Sequence, residues 1–234
     1  MWPTPATRVF RYIGTCARIA RRRAAGILTV LCLSAFVFAG IANTKHNLSV
    51  SGPGTIKSPT ETRICVFCHT PHNADPSAPL WNRSASNVYY EMYWSSTMQA
   101  YSSAGAAPQP DGSSKLCLSC HDGTIALGSV RSRSQPIPVS GGSRLPSTSS
   151  AYLGTDLSGS HPISFVYDDT LAIENNAAGD MPLRLPSTLT DPDVKLDRRG
   201  KIQCTTCHDP HSDRNEYFLV KPGWSELCLT CHDY

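Results

Sequence analysis

The sequence predicts a multi-box chain of mostly coil, with short α-helices and minimal β-structure. Three observations predict it. The 234 residues include 16 Gly and 18 Pro, and their 40% hydrophobic content is thinly spread. Few segments keep the 3.6-residue or two-residue apolar period that marks a helix or a strand. A Cys-x-x-Cys-His box recurs four times, at 65–69, 117–121, 204–208 and 228–232.

The boxes organise the chain. Cys65 and Cys68 precede His69, Cys117 and Cys120 precede His121, Cys204 and Cys207 precede His208, and Cys228 and Cys231 precede His232. Two intervening residues let both sulfurs reach one edge of a porphyrin and add across its two vinyl groups. The adjacent His is then held under the iron. A lone Cys-x-x-Cys also serves as half a zinc site, a redox dithiol or part of a disulfide framework. None of those requires a His directly after the second Cys, and all four pairs have one. The expectation is four covalently bound haem c groups in a multihaem c-type cytochrome. Haems are large apolar plates, so they would supply much of the burial that side chains give elsewhere.

Histidine supply sharpens this. Beyond the four box residues the chain holds His46, His72, His161 and His211, eight His in all. Four irons with two axial ligands each need eight, which matches bis-His ligation throughout. Met is the usual competitor as distal ligand. Met1 falls in the leader described next, and Met92, Met98 and Met181 read as packing residues.

Residues 1–42 read as an export signal. Arg8, Arg11, Arg18, Arg21, Arg22 and Arg23 open the chain without any acid, and an apolar run follows from Ala24 to Ala39. Gly40-Ile41-Ala42 offers small residues at the two positions a signal peptidase reads, which predicts a mature start at Asn43. The run is short of the ~20 residues of a spanning helix, so no membrane span is expected after cleavage. Cys16 and Cys32 leave with the leader, and the eight remaining Cys all belong to boxes. Without those six Arg, 15 basic residues face 18 acidic ones, a net charge near −3. Nothing there resembles a basic nucleic-acid surface.

Residues 43–122 form a first two-haem module, 123–203 a loop-rich connector carrying a distal His, and 204–234 a second two-haem module. The modules repeat: Cys-x-x-Cys-His-x-Pro-His occurs at 65–72 and 204–211, and each is followed by Leu-Cys-Leu-x-Cys-His-Asp, at 116–122 and 227–233. Within the first module, Asn87 to Met98 has apolar residues at three-to-four spacing and predicts a helix. Ser132 to Ser150 is dense in Ser, Pro and Gly and predicts loop. His161 to Tyr167 alternates apolar residues, as a short strand or extended segment delivering His161 to an iron would.

The extra His must reach away from their own boxes. Three residues span at most ~11 Å, too little to carry His72 around the porphyrin edge from His69, or His211 from His208. Each Pro-His pair therefore reaches a different haem, which forces haems close together. His46 would be the fourth residue of the mature chain. It either clips the N-terminus to its own body or reaches a neighbouring molecule.

Lys45 to Ser49, Cys65 to His72, Ala78 to Arg83, Leu116 to Gly128, His161 to Asp168 and Ile202 to His211 together resemble the OmcE-like extracellular tetrahaem cytochromes, which polymerise into filaments. The resemblance spans nearly all of the mature chain, though 131–150 matches none of its motifs. It implies a continuous haem stack with bis-His ligation. It also implies head-to-tail assembly with one axial His, here expected to be His46, donated between subunits. The expected function is long-range electron transfer by an exported, non-enzymatic protein at the cell surface, with other redox proteins or extracellular acceptors as further partners. A monomeric periplasmic shuttle and a membrane-anchored quinol-oxidising cytochrome are the alternatives. A reductase would need an iron with an exchangeable position, often marked by a Lys in place of the box His, and all four boxes end in His.

Overall fold

A Cys-x-x-Cys pair spans one helical turn, with both thiols on the same face, and helical turns form where the boxes are. The computed structural model describes residues 39–76 and 78–233. Its helices are α1 (Ala39–Ala42), α2 (Gly112–His121), α3 (Asp169–Ala178), α4 (Cys204–Cys207) and α5 (Trp224–Cys231), and Cys65–Phe67 forms a single 3₁₀ turn. The chain divides into Met1–Gly40 and a compact unit over Ile41–Tyr234. The expected export signal falls almost wholly on 1–38, outside the described residues. Among those described, no helix is long and apolar enough to cross a membrane.

Coil dominates the rest. Two strands of two residues, β1 (Glu91–Met92) and β2 (Asp156–Leu157), pair in parallel with Glu91 opposite Asp156 and Met92 opposite Leu157. β1 corrects the helix expected over Asn87 to Met98. Tyr90 and Met92 are buried on either side of an exposed Glu91, a two-residue period inside the apparent helical one. Gln109 satisfies the backbone of Tyr90 from both sides, accepting at 2.8 Å and donating at 2.9 Å, and Glu91 N–H donates to Thr155 at 2.9 Å. These tertiary bonds hold the backbone extended. The stretch His161 to Tyr167 is coil that bends at Ser164, whose φ is 66°, and its isolated bridge joins Val166 to Lys201.

The connector holds a helix its composition did not suggest. Asp168 caps α3 by accepting from Leu171 N–H at 2.9 Å, and Gly179 closes it at φ 77°, where a side chain would be strained. Ser132 to Ser150 is irregular, as expected. It is anchored by a bridge from Lys57 to Ser140 and by Ile137, buried against Val66, Phe67 and Val130. Gly128 lets that loop close: a Cβ there would sit 1.8 Å from the Ile137 carbonyl oxygen.

The sequence repeat is also a backbone repeat. After the first box the chain returns so that His69 bridges Trp81, and after the third His208 bridges Leu219. Asn82 N–H donates to Cys68 at 2.9 Å and Val220 N–H to Cys207 at 3.0 Å; Thr70 N–H donates to Leu80 and Asp209 N–H to Phe218, both at 2.8 Å. Leu80 and Phe218, each just before the bridging residue, share a left-handed φ of 61°.

Side-chain burial is split among three small clusters. One gathers Tyr90, Met92, Tyr101 and Leu118 beneath α2; a second lies under the first box; the third joins Tyr167, Ala172 and Ile202. Met92 and Met98 pack into the first cluster. Met181, expected to pack, is 49% exposed.

Candidate haem sites and the histidine pairs

The clasps between successive boxes come from residues flanking them. Asn82 donates its amide to the Val66 carbonyl inside the first box at 2.6 Å. Its neighbour Arg83 donates to Ser119 inside the second box, at 3.2 Å to the hydroxyl and 2.9 Å to the carbonyl. Gln203, directly before the third box, reaches back to α2. Its Oε1 accepts from Ser114 Oγ at 2.6 Å, and Ser114 Oγ accepts from Cys204 N–H at 3.0 Å. Asp111 ties the same region together by accepting from Lys201 Nζ at 2.7 Å and Gln203 Nε2 at 2.9 Å. The fourth box is held by the connector: Arg184 N–H donates to Cys231 at 2.8 Å, and Tyr167 Oη donates to the carbonyls of Arg184 and Cys231.

The thiols follow this arrangement. All eight box Cys are free. Cys117 and Cys204 share a hydrogen bond across the second and third boxes, which holds Cys204 below the usual thiol value and, together with burial, Cys117 above it. Burial pushes Cys68 up to about 12 and Cys207 to about 11.

The imidazoles fall into pairs. His46 lies 6.0 Å from His121, ring centre to ring centre; His69 lies 6.1 Å from His211; His161 lies 6.4 Å from His232. Two imidazoles bound at about 2 Å on opposite sides of one metal have ring centres roughly 6 Å apart. Each pair joins a box His to one outside the boxes. His211 sits against the first box rather than its own, as three residues of reach require.

Second contacts orient the rings for ligation. The Nδ1 atoms of His46, His121, His161 and His208 lie 2.8 to 3.0 Å from the carbonyls of Pro210, Ala151, Pro162 and Tyr217. A carbonyl fixes the proton on Nδ1 and leaves Nε2 as the free donor, the usual arrangement of a metal-binding His. Burial also lowers the proton affinity of His46, His69, His121 and His232, favouring the neutral ring that a metal needs.

Residues 198–234 match a family model described as a doubled CXXCH motif, spanning the third and fourth boxes. The paired motif over these residues is one that indicates a multihaem c-type cytochrome. No curated protein matches the chain. The thiols of a box would hold haem c through thioether bonds, with the following His as an iron ligand. When bound, the iron supplies a one-electron couple.

Two findings bear on the distal His. His46, expected as a possible ligand to a neighbouring copy, lies against His121 of its own chain, stacked on Phe218 at 4.5 Å. The Pro210 carbonyl orients it, a contact between positions 164 apart that no motif could show. His72 is exposed, and among the described residues no ring contact joins it to His208. A cavity of about 250 Å³ opens beside His208, lined also by Thr205, Pro210, Leu219 and Val220.

The orienting carbonyls of Pro210, Ala151 and Tyr217 belong to residues of no special type. The clasp residues Asn82, Arg83 and Gln203 lie in the stretches Ala78 to Arg83 and Ile202 to His211 that carry the resemblance, but nothing in the sequence showed which groups they would bond.

Proposed function

We propose that this cytochrome carries four bis-His haems and conducts electrons along them, exported to the cell surface and polymerised into an extracellular filament. The observation that carries the electron-transfer reading is the set of three imidazole pairs at 6.0 to 6.4 Å, each made of one box His and one other. An iron closed on both faces binds no substrate, so its work is to change oxidation state. The clasps between boxes one and two, and two and three, favour close haems, the arrangement that electron hopping requires.

The remaining His supports assembly. His208 is the one box His outside the three ring pairs, and His72 is the one distal candidate left. A filament in which His72 of one copy ligates beside His208 of the next is heterologous and does not close. Electron microscopy of the secreted protein tests this. Filaments that disperse in His72→Ala are expected; dispersed monomers of the native protein under all conditions contradict assembly.

The monomeric shuttle keeps one specific observation in its favour. It predicts a His46 that closes onto its own chain, and His46 does so. In that reading His72→Ala alters one haem's spectrum and leaves the molecular mass unchanged.

A further inference from the structure

Arg83 is fully buried, with none of its surface exposed. Its guanidinium has five N–H donors, and all five are satisfied. Nε donates to Ser119 Oγ at 3.2 Å; Nη1 donates to the carbonyls of Leu127 at 2.7 Å and Ser129 at 3.3 Å; Nη2 donates to those of Ser119 at 2.9 Å and Ala126 at 3.1 Å. Every acceptor is neutral, and among the described residues no carboxylate pairs with it. Carbonyl dipoles solvate the ion but leave its full positive charge in place. With no donor to spare, the guanidinium is also committed away from any haem propionate.

The location of this charge matters. Arg83 faces the Cys120 sulfur of the second box and lies near Cys68 of the first. These two Cys would carry thioether bonds to two successive haems. Reducing an iron adds one negative charge, and a fixed cation in a low-dielectric interior stabilises it. Of the other buried charges, Glu61 just before the first box is paired with Arg63 and Arg133, and Asp122 stands at the second. Asp122, next to His121, accepts from Tyr90 Oη at 2.7 Å and from Thr124 N–H and Oγ1. It opposes Arg83 at the second box.

Resting on the tetrahaem reading above, we infer that Arg83 is a redox-setting residue: its unpaired buried charge raises the reduction potentials of the haems at the first and second boxes above those at the third and fourth. Asp122 partly offsets this at the second box, which leaves the first-box haem the most readily reduced.

Reductive titration of the haem-loaded protein, followed by absorbance, tests it. Arg83→Gln is expected to move two of the four one-electron steps to lower potential and leave two in place. Arg83→Lys keeps the charge with three donors instead of five, so its steps stay near native while its melting temperature falls. Asp122→Asn moves one step upward. Unchanged steps in Arg83→Gln, or equal displacement in the Gln and Lys variants, overturn the proposal, because geometry rather than charge would then matter. Should Arg83→Gln fail to take up haem, the other variants decide: displaced steps in Arg83→Lys or unmoved steps in Asp122→Asn overturn it. A native protein lacking low-spin haem bands would instead contradict the reading of the boxes.

Discussion

Asn82 does several jobs with one side chain. It is fully buried, donates to the Val66 carbonyl and to Ser132 Oγ, and accepts from Ser132 N–H at 2.8 Å. Removing it would strip buried polar groups on both sides of their partners, a loss that costs about 1–3 kcal/mol. Asn82→Ala is therefore expected to lower the melting temperature of the haem-loaded protein. Thermal unfolding followed at the haem bands checks it. Gly128→Ala makes a second test at this scale. Its new Cβ would fall 1.8 Å from the Ile137 oxygen, and backbone must shift to admit it, with overpacking of this kind costing about 1–3 kcal/mol. Such residues were only half legible: Gly128 stood beside a loop that composition identified, but nothing in the sequence said that Ile137 would close over it.

Among the elements, the contact between α2 and α4 depends on Asp111. Burial would raise its proton affinity, but Lys201, Gln203 and Arg199 outweigh that and hold the carboxyl below its ordinary value. A carboxyl whose folded-state value is depressed contributes stability above its unfolded value, near 4, and loses it as pH falls through the folded one. The native protein should therefore lose stability below about pH 4 more steeply than Asp111→Asn, as acid titration of the two side by side would show. Equal steepness contradicts the assignment. For α3 the cap is the test: Asp168→Ala removes the bond to Leu171 N–H and should cost about 1 kcal/mol. The box helices were legible because two thiols on one turn demand them. The Asn87 to Met98 helix was misread because side-chain spacing there satisfied two periods, and distant partners, Gln109 on Tyr90 and Thr155 on Glu91, chose between them. The cap of α3, Asp168 with Gly179 eleven residues on, was present in the sequence but lay in a stretch whose composition suggested loop.

Across the whole molecule, the boxes and the demand for eight imidazoles could be read directly, because covalent chemistry fixes their spacing. The pairing could not. Reach alone excluded His72 and His211 from their own boxes, and the landing of His211 beside His69 agrees with that limit. It could not foresee that the tail of the third box serves two others, with Pro210 orienting His46 and His211 facing His69. An N-terminal position suggested a free arm for His46; within its own chain it meets His121, Phe218 and the Pro210 carbonyl, and the exposed His72 is a second candidate for crossing between copies. His46→Ala should accordingly perturb one haem without dispersing filaments, whereas His72→Ala should disperse them; sedimentation beside absorbance spectra separates the two.

The most direct measurement is a structure of the purified, haem-loaded protein at a resolution that shows each iron's ligands. Four irons, each between two imidazoles, are expected, with His46 and His121, His69 and His211, and His161 and His232 paired within one chain, and His208 completed by His72 of a neighbouring copy. An iron with an open face, or one bound by a Met or Lys side chain, would contradict the closed conductor.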